Sequence, residues 1–212
     1  MDLDFVIRNL SQRRKLFHSE ADFQFALAEE IKKKYADSEV RLEYPINGKY
    51  IDIFILYGSD KIAIELKYKT AKMVWNDIHD PFNETYSLKD QSAPDLGRFD
   101  YLKDIERNES LIQSDNATVG FTVFITNYNV YWKKRKEENY TPKDLNFRID
   151  EGKEISGKRI WLNNPSINTT GNERIGGVNL KGKYVMEWKP FSEIGDTSNS
   201  IFKYLLLKQS NL

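Results

Sequence analysis

The residues best equipped for chemistry lie close together in the chain. Asp52, Glu65 and Lys67 fall in two short segments, residues 50–56 and 61–69, joined by Tyr57-Gly58-Ser59-Asp60. The first is mostly apolar and the second alternates strictly, which is how strands read. If Leu56 and Lys61 close a four-residue loop, the antiparallel register sets Asp52 opposite Glu65. Ile51, Ile53 and Ile55 then share one face, and Asp52 and Phe54 the other. Ala63, Glu65, Lys67 and Lys69 share a face in the second strand. The Cβ atoms of Asp52 and Glu65 are then about 5 Å apart, with Lys67 about 7 Å further along. Like charges directly across a ladder repel, and a hard divalent cation reverses that sign. The pattern points to a magnesium site with an ammonium beside it. A solvated sheet face with weak surface ion pairs shows the same alternation, so the strands alone leave both readings open.

Such a site needs elements to hold it. Residues 19–35 form an amphipathic helix, with Ser19 as N-cap, Asp22 placed to complete the capping, and Phe23, Leu27 and Ile31 as the apolar stripe. Glu20 lies on that stripe in the first turn. It either aims inward or reaches water and supports the helix dipole. Residues 95–114 form a second helix with Leu102, Ile105 and Ile112 on the core stripe and Arg98 on the same stripe near its start. Arg98 faces the site, or else snorkels or pairs with Asp95 or Glu109. Residues 40–46 read as a strand, and residues 119–126 as an apolar, buried one. Helix, three strands, helix, strand is an α/β core with a mixed sheet flanked by helices.

Glu20 on a first helix, Ile51-Asp52-Ile53, and Glu65-Leu66-Lys67 together resemble the PD-(D/E)XK nuclease superfamily, which has the restriction-endonuclease-like fold. The resemblance covers residues 19–126; Ile51 stands where the family often has proline. It implies that Asp52 and Glu65 hold one or two Mg²⁺ ions (Mn²⁺ substituting), with the Leu66 carbonyl as a further ligand and Glu20 bound directly or through water. Lys67 would orient or deprotonate the attacking water, or neutralise charge on the phosphorane. Beside a dication it should titrate low enough to share a proton. Arg98 would contact a phosphate, and Gln91 and Tyr101 would give polar support from the second helix. The implied activity is hydrolysis of phosphodiesters in DNA, of restriction, repair or mobile-element type, with a second copy or a partner protein as further company. The alternative is an inactive nuclease-fold subunit that binds nucleic acid or another protein. The full set of Glu20, Asp52, Glu65 and Lys67 speaks against decay.

Composition narrows the rest. The chain has 212 residues, 40% of them hydrophobic and 30% charged. That suits one folded domain burying roughly 70% of its unfolded surface, with a core at about residues 19–126 and a C-terminal, strand-containing elaboration at 127–212. There is no cysteine, which excludes disulfides, thiolate metal sites and cysteine nucleophiles. Two histidines cannot make a three-histidine centre, and His79-Asp80 lacks the other ligands of HD-type hydrolases. Thirty-two basic and 32 acidic residues cancel, so any nucleic-acid contact must come from local patches. The first ten residues carry Asp2, Asp4 and Arg8 and no leader pattern. No apolar run reaches the roughly 18 residues of a membrane span. A cytoplasmic protein with no membrane partner is expected.

Other signals are weaker. Gly177-Val178-Asn179-Leu180-Lys181-Gly182-Lys183 nearly spells a phosphate-binding loop, but Tyr184 replaces the magnesium-binding hydroxyl and a strand follows. Lys133-Lys134-Arg135-Lys136 follows Tyr128, Tyr131 and Trp132. That mixture serves a nucleic-acid backbone or is a solvated helix face. Residues 70–94 show no period and hold Trp75 and Phe82, which suggests a long functional loop beside the site. Residues 163–177 read as loop, and residues 183–190 and 201–208 as strands.

Overall fold

The computed structural model describes residues 1–78, 82–91, 93–134, 141–162 and 174–210. Two helices open the chain, α1 (Leu3–Arg13) and α2 (Glu20–Lys34). Strands β1 (Glu39–Ile46), β2 (Lys49–Tyr57) and β3 (Asp60–Lys69) follow as an antiparallel meander. A small hairpin, β4 (Met73–Asn76) and β5 (Thr85–Leu88), precedes α3 (Pro94–Gln113). Then come β6 (Val119–Thr126), the hairpin β7 (Glu154–Arg159) and β8 (Val178–Val185), and finally β9 (Trp188–Glu193) and β10 (Ile201–Gln209). The central sheet has the order β1-β2-β3-β6-β10-β9. β3 and β6 run parallel and the other neighbours antiparallel, so the sheet is mixed, as the α/β reading expects.

Alternation sends side chains to two faces. Ile62, Ile64, Leu66 and Tyr68 of β3 and Phe121, Val123 and Ile125 of β6 pack on α1 and α2. Phe124 of β6 and Leu205 and Leu207 of β10 pack on the other face, under α3 and the β7–β8 hairpin. Phe23, Leu27 and Ile31 of α2 are all fully buried, and each such side chain contributes roughly 1.5–3 kcal/mol on removal from water. Ser19 caps α2, accepting from the Asp22 N–H at 3.1 Å, while the Asp22 carboxylate turns back to the His18 N–H at 2.9 Å. α3 starts where Ala93 turns left-handed (φ 67°) ahead of Pro94, whose missing N–H costs nothing in a first turn. α3 lies tight on β6: a Cβ on Gly120 would come within 2.8 Å of the Asn108 Cβ, and Asn108 donates to the Phe121 carbonyl at 3.0 Å.

Several expectations change. α1 carries Leu3, Val6, Ile7 and Leu10 at helical spacing, all buried, which a search of these residues for a leader passes over. The β2–β3 turn is tighter than expected: Tyr57 already pairs with Asp60, leaving a two-residue loop of Gly58 and Ser59. Gly58 takes φ 61°, the left-handed value such loops require. The register holds as far as Ile53 and Ile64, where the ladder ends, so Asp52 is not paired with Glu65 as expected. Residues 70–94 contain the β4–β5 hairpin, short strands that a period search misses. Residues 183–190 span the end of β8 and the start of β9, and residues 178–183 are extended chain, with no phosphate-binding loop. β9 and β10 complete the central sheet, so the C-terminal part is continuous with it. Ile112 is only partly buried; Leu111 takes the core position. His79-Asp80, Arg135, Lys136 and residues 163–173 lie outside the described residues. Among the described residues no helix is long and apolar enough to cross a membrane.

Candidate active site

A fork in the sheet makes the site. β2 pairs with β3 from Tyr57 to Ile53 and then leaves it, while continuing with β1 to Lys49. Beyond Ile64, the edge of β3 that β2 would cover needs other hydrogen-bond acceptors. Two carboxylates supply them. Asp52 Oδ2 accepts from the Leu66 N–H at 2.6 Å, and Glu20 Oε2 accepts from the Tyr68 N–H at 2.7 Å. The first turn of α2 therefore sits in the notch, and Glu20 aims inward. The β1–β2 ladder also breaks beside Asp52. Glu43, its neighbour across the ladder, takes a left-handed φ of 49°, and Gln24 of α2 donates to both the Asp52 carbonyl (2.6 Å) and Glu43 Oε1 (2.7 Å). Asp52 thus stands at a local break in both ladders. The face alternation slips there: Ile51 packs with Phe54 and Ala63, away from Ile53 and Ile55.

The four residues singled out in the sequence come together, with a cluster from α3 above them. Arg107 Nη2 lies 2.5 Å from Glu65 Oε2 and 3.2 Å from Asp104 Oδ1. Lys67 Nζ lies 2.9 Å from Asp104 Oδ2. Glu65, Arg107, Asp104 and Lys67 form a chain of alternating charge. Burial dominates its electrostatics. Desolvation, reinforced by Glu20 and Asp104 and opposed by the Leu66 N–H, pushes the Asp52 carboxyl up to about 6. Glu65 is only 1% exposed. Burial first, then the charge of Asp104, pushes it well above the ordinary glutamate range despite Arg107. Burial also raises Asp104, against Lys67 and Arg107. Burial lowers Lys67, but Asp104 and Glu20 outweigh it and hold the ammonium above its ordinary value. Asp104 and Glu20 thus favour the charged ammonium of Lys67.

One atom bears on metal fit. Glu65 Oε1 is buried and has no hydrogen-bond partner. A buried carboxylate oxygen left this way costs free energy that a proton or a cation would recover. Among the described residues no three acidic or histidine side chains form a ready-made cage. Magnesium does not require one; it commonly takes one or two carboxylates and keeps several waters. Asp52, Glu65 and the Leu66 carbonyl fit that ligand set, with Glu20 in the same notch.

The supporting residues need correction. Arg98 does not serve this centre. It is 3% exposed, with Nη1 on Asp144 Oδ2 at 2.6 Å and Nη2 on the Val130 carbonyl at 2.6 Å. Its charge is paired with Asp144, from the segment that follows β6. Tyr101 is 1% exposed and its hydroxyl accepts from Thr122 at 3.3 Å, so it is core and cannot touch a substrate. Gln91 precedes α3; it lines a cleft with His18, Glu20, Lys69 and Lys89. Its N–H donates to the Thr70 carbonyl at 2.9 Å, which pins the two ends of the 70–91 segment beside the site, as expected. Trp75 packs on Tyr86, and Phe82 is 81% exposed. Tyr131 and Trp132 are core, so they offer no bases a stacking face. Asp104, Arg107 and Gln24 were not anticipated. Asp104 and Arg107 follow Asp100 at intervals of four and three, a polar stripe beside the apolar one that was read. Gln24 falls one turn after Glu20. Comparison with protein-family models, with curated proteins and with solved structures gives no match.

Proposed function

We propose that the protein is a magnesium-dependent nuclease of restriction-endonuclease-like fold that hydrolyses DNA phosphodiesters. The observation that carries this reading is the forked strand pair, where the charges of Asp52 and Glu65 act on each other, Glu65 keeps an unsatisfied buried carboxylate oxygen, Lys67 follows on the same strand and Glu20 enters from α2. The order α2-β1-β2-β3-α3-β6, with the β4–β5 hairpin inserted before α3, supports the fold assignment. Asp52, Glu65 and the Leu66 carbonyl would hold the ion, with Glu20 binding it directly or through water. When bound, the ion supplies a water of lowered pKa and positive charge for the phosphoryl oxygens. Lys67, held protonated by Asp104, adds a fixed positive charge where the phosphorane charge develops. Arg107 and Asp104 orient Glu65 and Lys67 from α3. A second reading, a binding subunit without catalysis, is favoured by one feature: Arg107 already neutralises Glu65.

Plasmid, linear duplex and single-stranded DNA, each incubated with Mg²⁺, Mn²⁺ or EDTA, separate the two. Cleavage with metal is expected, lost in EDTA and in Glu65→Gln. Lys67→Ala should lose most cleavage while keeping DNA affinity. DNA binding with no cleavage of any substrate in either metal would establish the subunit reading. A Lys67→Ala protein cutting at the wild-type rate would remove Lys67 from the machinery.

A further inference from the structure

A basic cavity lies away from the carboxylates of the notch. It measures about 590 Å³ and opens at the N-terminal end of α3. Arg98, Lys133, Lys134, Lys143 and Arg148 line it, against two acids, Asp95 and Asp144. Arg98 and Arg148 are 3% and 5% exposed. They share one carboxylate oxygen, Asp144 Oδ2, at 2.6 Å and 3.6 Å. Arg148 otherwise reaches only Asp150, at 3.7 Å. Both Arg148 contacts exceed hydrogen-bond distance, so among the described residues this guanidinium has no hydrogen-bonded partner. Arg98 Nε is buried and unsatisfied as well. Two buried guanidinium groups on one carboxylate repel each other: burial, then Arg148, holds Arg98 below its ordinary value. Lys143 is taken by Asp95 at 3.1 Å, while Lys133 and Lys134 are exposed at the rim.

Asp144 and Asp150 balance the two guanidiniums in charge, so the surplus cations are Lys133 and Lys134 at the rim, and with the spare buried donor at Arg98 Nε they suit an anion with several acceptor oxygens. The dipole of the twenty-residue α3 adds to the same potential at its N-terminal end. The cavity also lies beyond the C-terminal end of β6, where open α/β sheets place ligands. Lys67 contacts Asp104, six residues along α3 from Arg98, or about 9 Å of axial rise. Arg98 lies about 120° round the helix from Asp104, so the cavity and the notch open at different sides of α3 and a chain touching both must wrap its N-terminal half.

We infer that this cavity is a second phosphate site, gripping the backbone of the polynucleotide at a point removed from the bond that is cut. The inference rests on the nuclease reading for the identity of its ligand. Arg148 and Arg98 set the positive potential from beneath, and Lys133 and Lys134 meet the phosphates at the rim. No base is read there, so binding is independent of sequence.

The test uses the full chain in EDTA, so no cleavage intrudes. A fluorescein-labelled single-stranded oligonucleotide is titrated across a salt series into wild type and into Lys133→Gln/Lys134→Gln. Both lysines are exposed, and a melting curve confirms that the variant is folded. The double variant should bind roughly tenfold more weakly, and its slope of log K against log[salt] should fall by about 1.4, or 0.7 per lost contact on a single strand. Lys33→Gln, an exposed lysine in the last turn of α2 on the other face of the sheet, should leave both quantities unchanged. Arg148→Lys, which keeps the charge, should weaken binding less than Arg148→Ala. A double variant with wild-type affinity and slope overturns the proposal. So does inorganic phosphate raising the melting temperature of wild type when oligonucleotide binding ignores the lysines, which would make the cavity a free-anion site. Failure of the nuclease reading shows separately, as absent cleavage with metal while this binding behaviour persists.

Discussion

Asp52→Asn should make the metal-free protein more stable near neutral pH and deaf to divalent metal. The folded chain raises the Asp52 carboxyl from 3.8 to about 6, chiefly by burial. A carboxyl raised on folding favours its protonated form. Its contribution to stability is therefore greatest below the unfolded value, and declines as pH climbs from there through about 6. A shift of about two units is worth roughly 3 kcal/mol when complete, and relaxation around a half-buried group reduces this to about 1–3 kcal/mol. Asparagine keeps an oxygen for the Leu66 N–H and removes the charge that opposes Glu20, Glu65 and Asp104. At about 2–4 °C per kcal/mol for a chain of this size, the melting temperature at about pH 8 in EDTA should rise by roughly 2–12 °C. The gain should vanish at about pH 4, where wild type is largely protonated there. Added Mn²⁺ should stabilise the wild type by about 2.7 kcal/mol at a hundredfold excess over Kd, raising its midpoint, and leave the variant where it was. Differential scanning calorimetry at two pH values, with and without metal, measures all four quantities. A variant that melts below wild type at about pH 8 would refute the claim that Asp52 is held against its charge. A wild-type midpoint that ignores Mn²⁺ would refute the ion site.

Arg107→Ala removes the cation that offsets Glu65 and Asp104, so the metal-free protein should lose about 2–4 kcal/mol in urea unfolding. The stabilisation by Mn²⁺ should grow, because the ion then meets an uncompensated carboxylate; an unchanged metal response would show that Arg107 and the ion do not compete. Glu109→Gln should cost about 2–4 kcal/mol. The Glu109 carboxylate accepts from the Lys181 and Gly182 N–H groups and the Tyr184 hydroxyl at 2.7–2.8 Å, and an amide NH₂ cannot. Metal binding should be untouched, and a variant as stable as wild type would disprove the anchoring role. Gly120→Ala forces a Cβ against Asn108 and should cost about 1–3 kcal/mol by overpacking. Because α3 carries Asp104 and Arg107, cleavage should fall further than stability predicts; cleavage that follows the folded fraction alone would show that the seat of α3 does not matter.

How far the sequence could be read follows from which forces act locally. The strand pair was legible because alternation and a short turn define register without reference to the rest of the chain, but the ladder ends at Ile53 and Ile64, one pair short of Asp52 and Glu65. Glu20 was legible because helical spacing puts it on the stripe of Phe23 and Leu27. The partner of Arg98 was not legible: Asp144 is forty-six residues away and reached only through tertiary packing. Asp104 and Arg107 share the helix with Arg98, but nothing local distinguishes a stripe that faces two strands from one that faces water. The slip at Ile51 depends on Glu43 and Gln24, two other elements meeting at one point. The two strands of the β4–β5 hairpin are four residues each, too short for a period. α1 had a clear period and needed only to be counted.

The fork in the sheet has a spectroscopic consequence. The Leu66 and Tyr68 amides are tied to the carboxylates of Asp52 and Glu20, where ordinary strand amides are tied to backbone carbonyls. Their nitrogen and proton resonances therefore sense whatever those side chains hold. Titration of the chain with acid, with Mg²⁺ or with an oligonucleotide can be followed at two native positions, in alternate residues of one strand, without attaching any label. Leu66 would report Asp52 and Tyr68 would report Glu20. The order in which the two signals move would distinguish an ion that engages both carboxylates at once from one that seats on the strand pair before the helix responds.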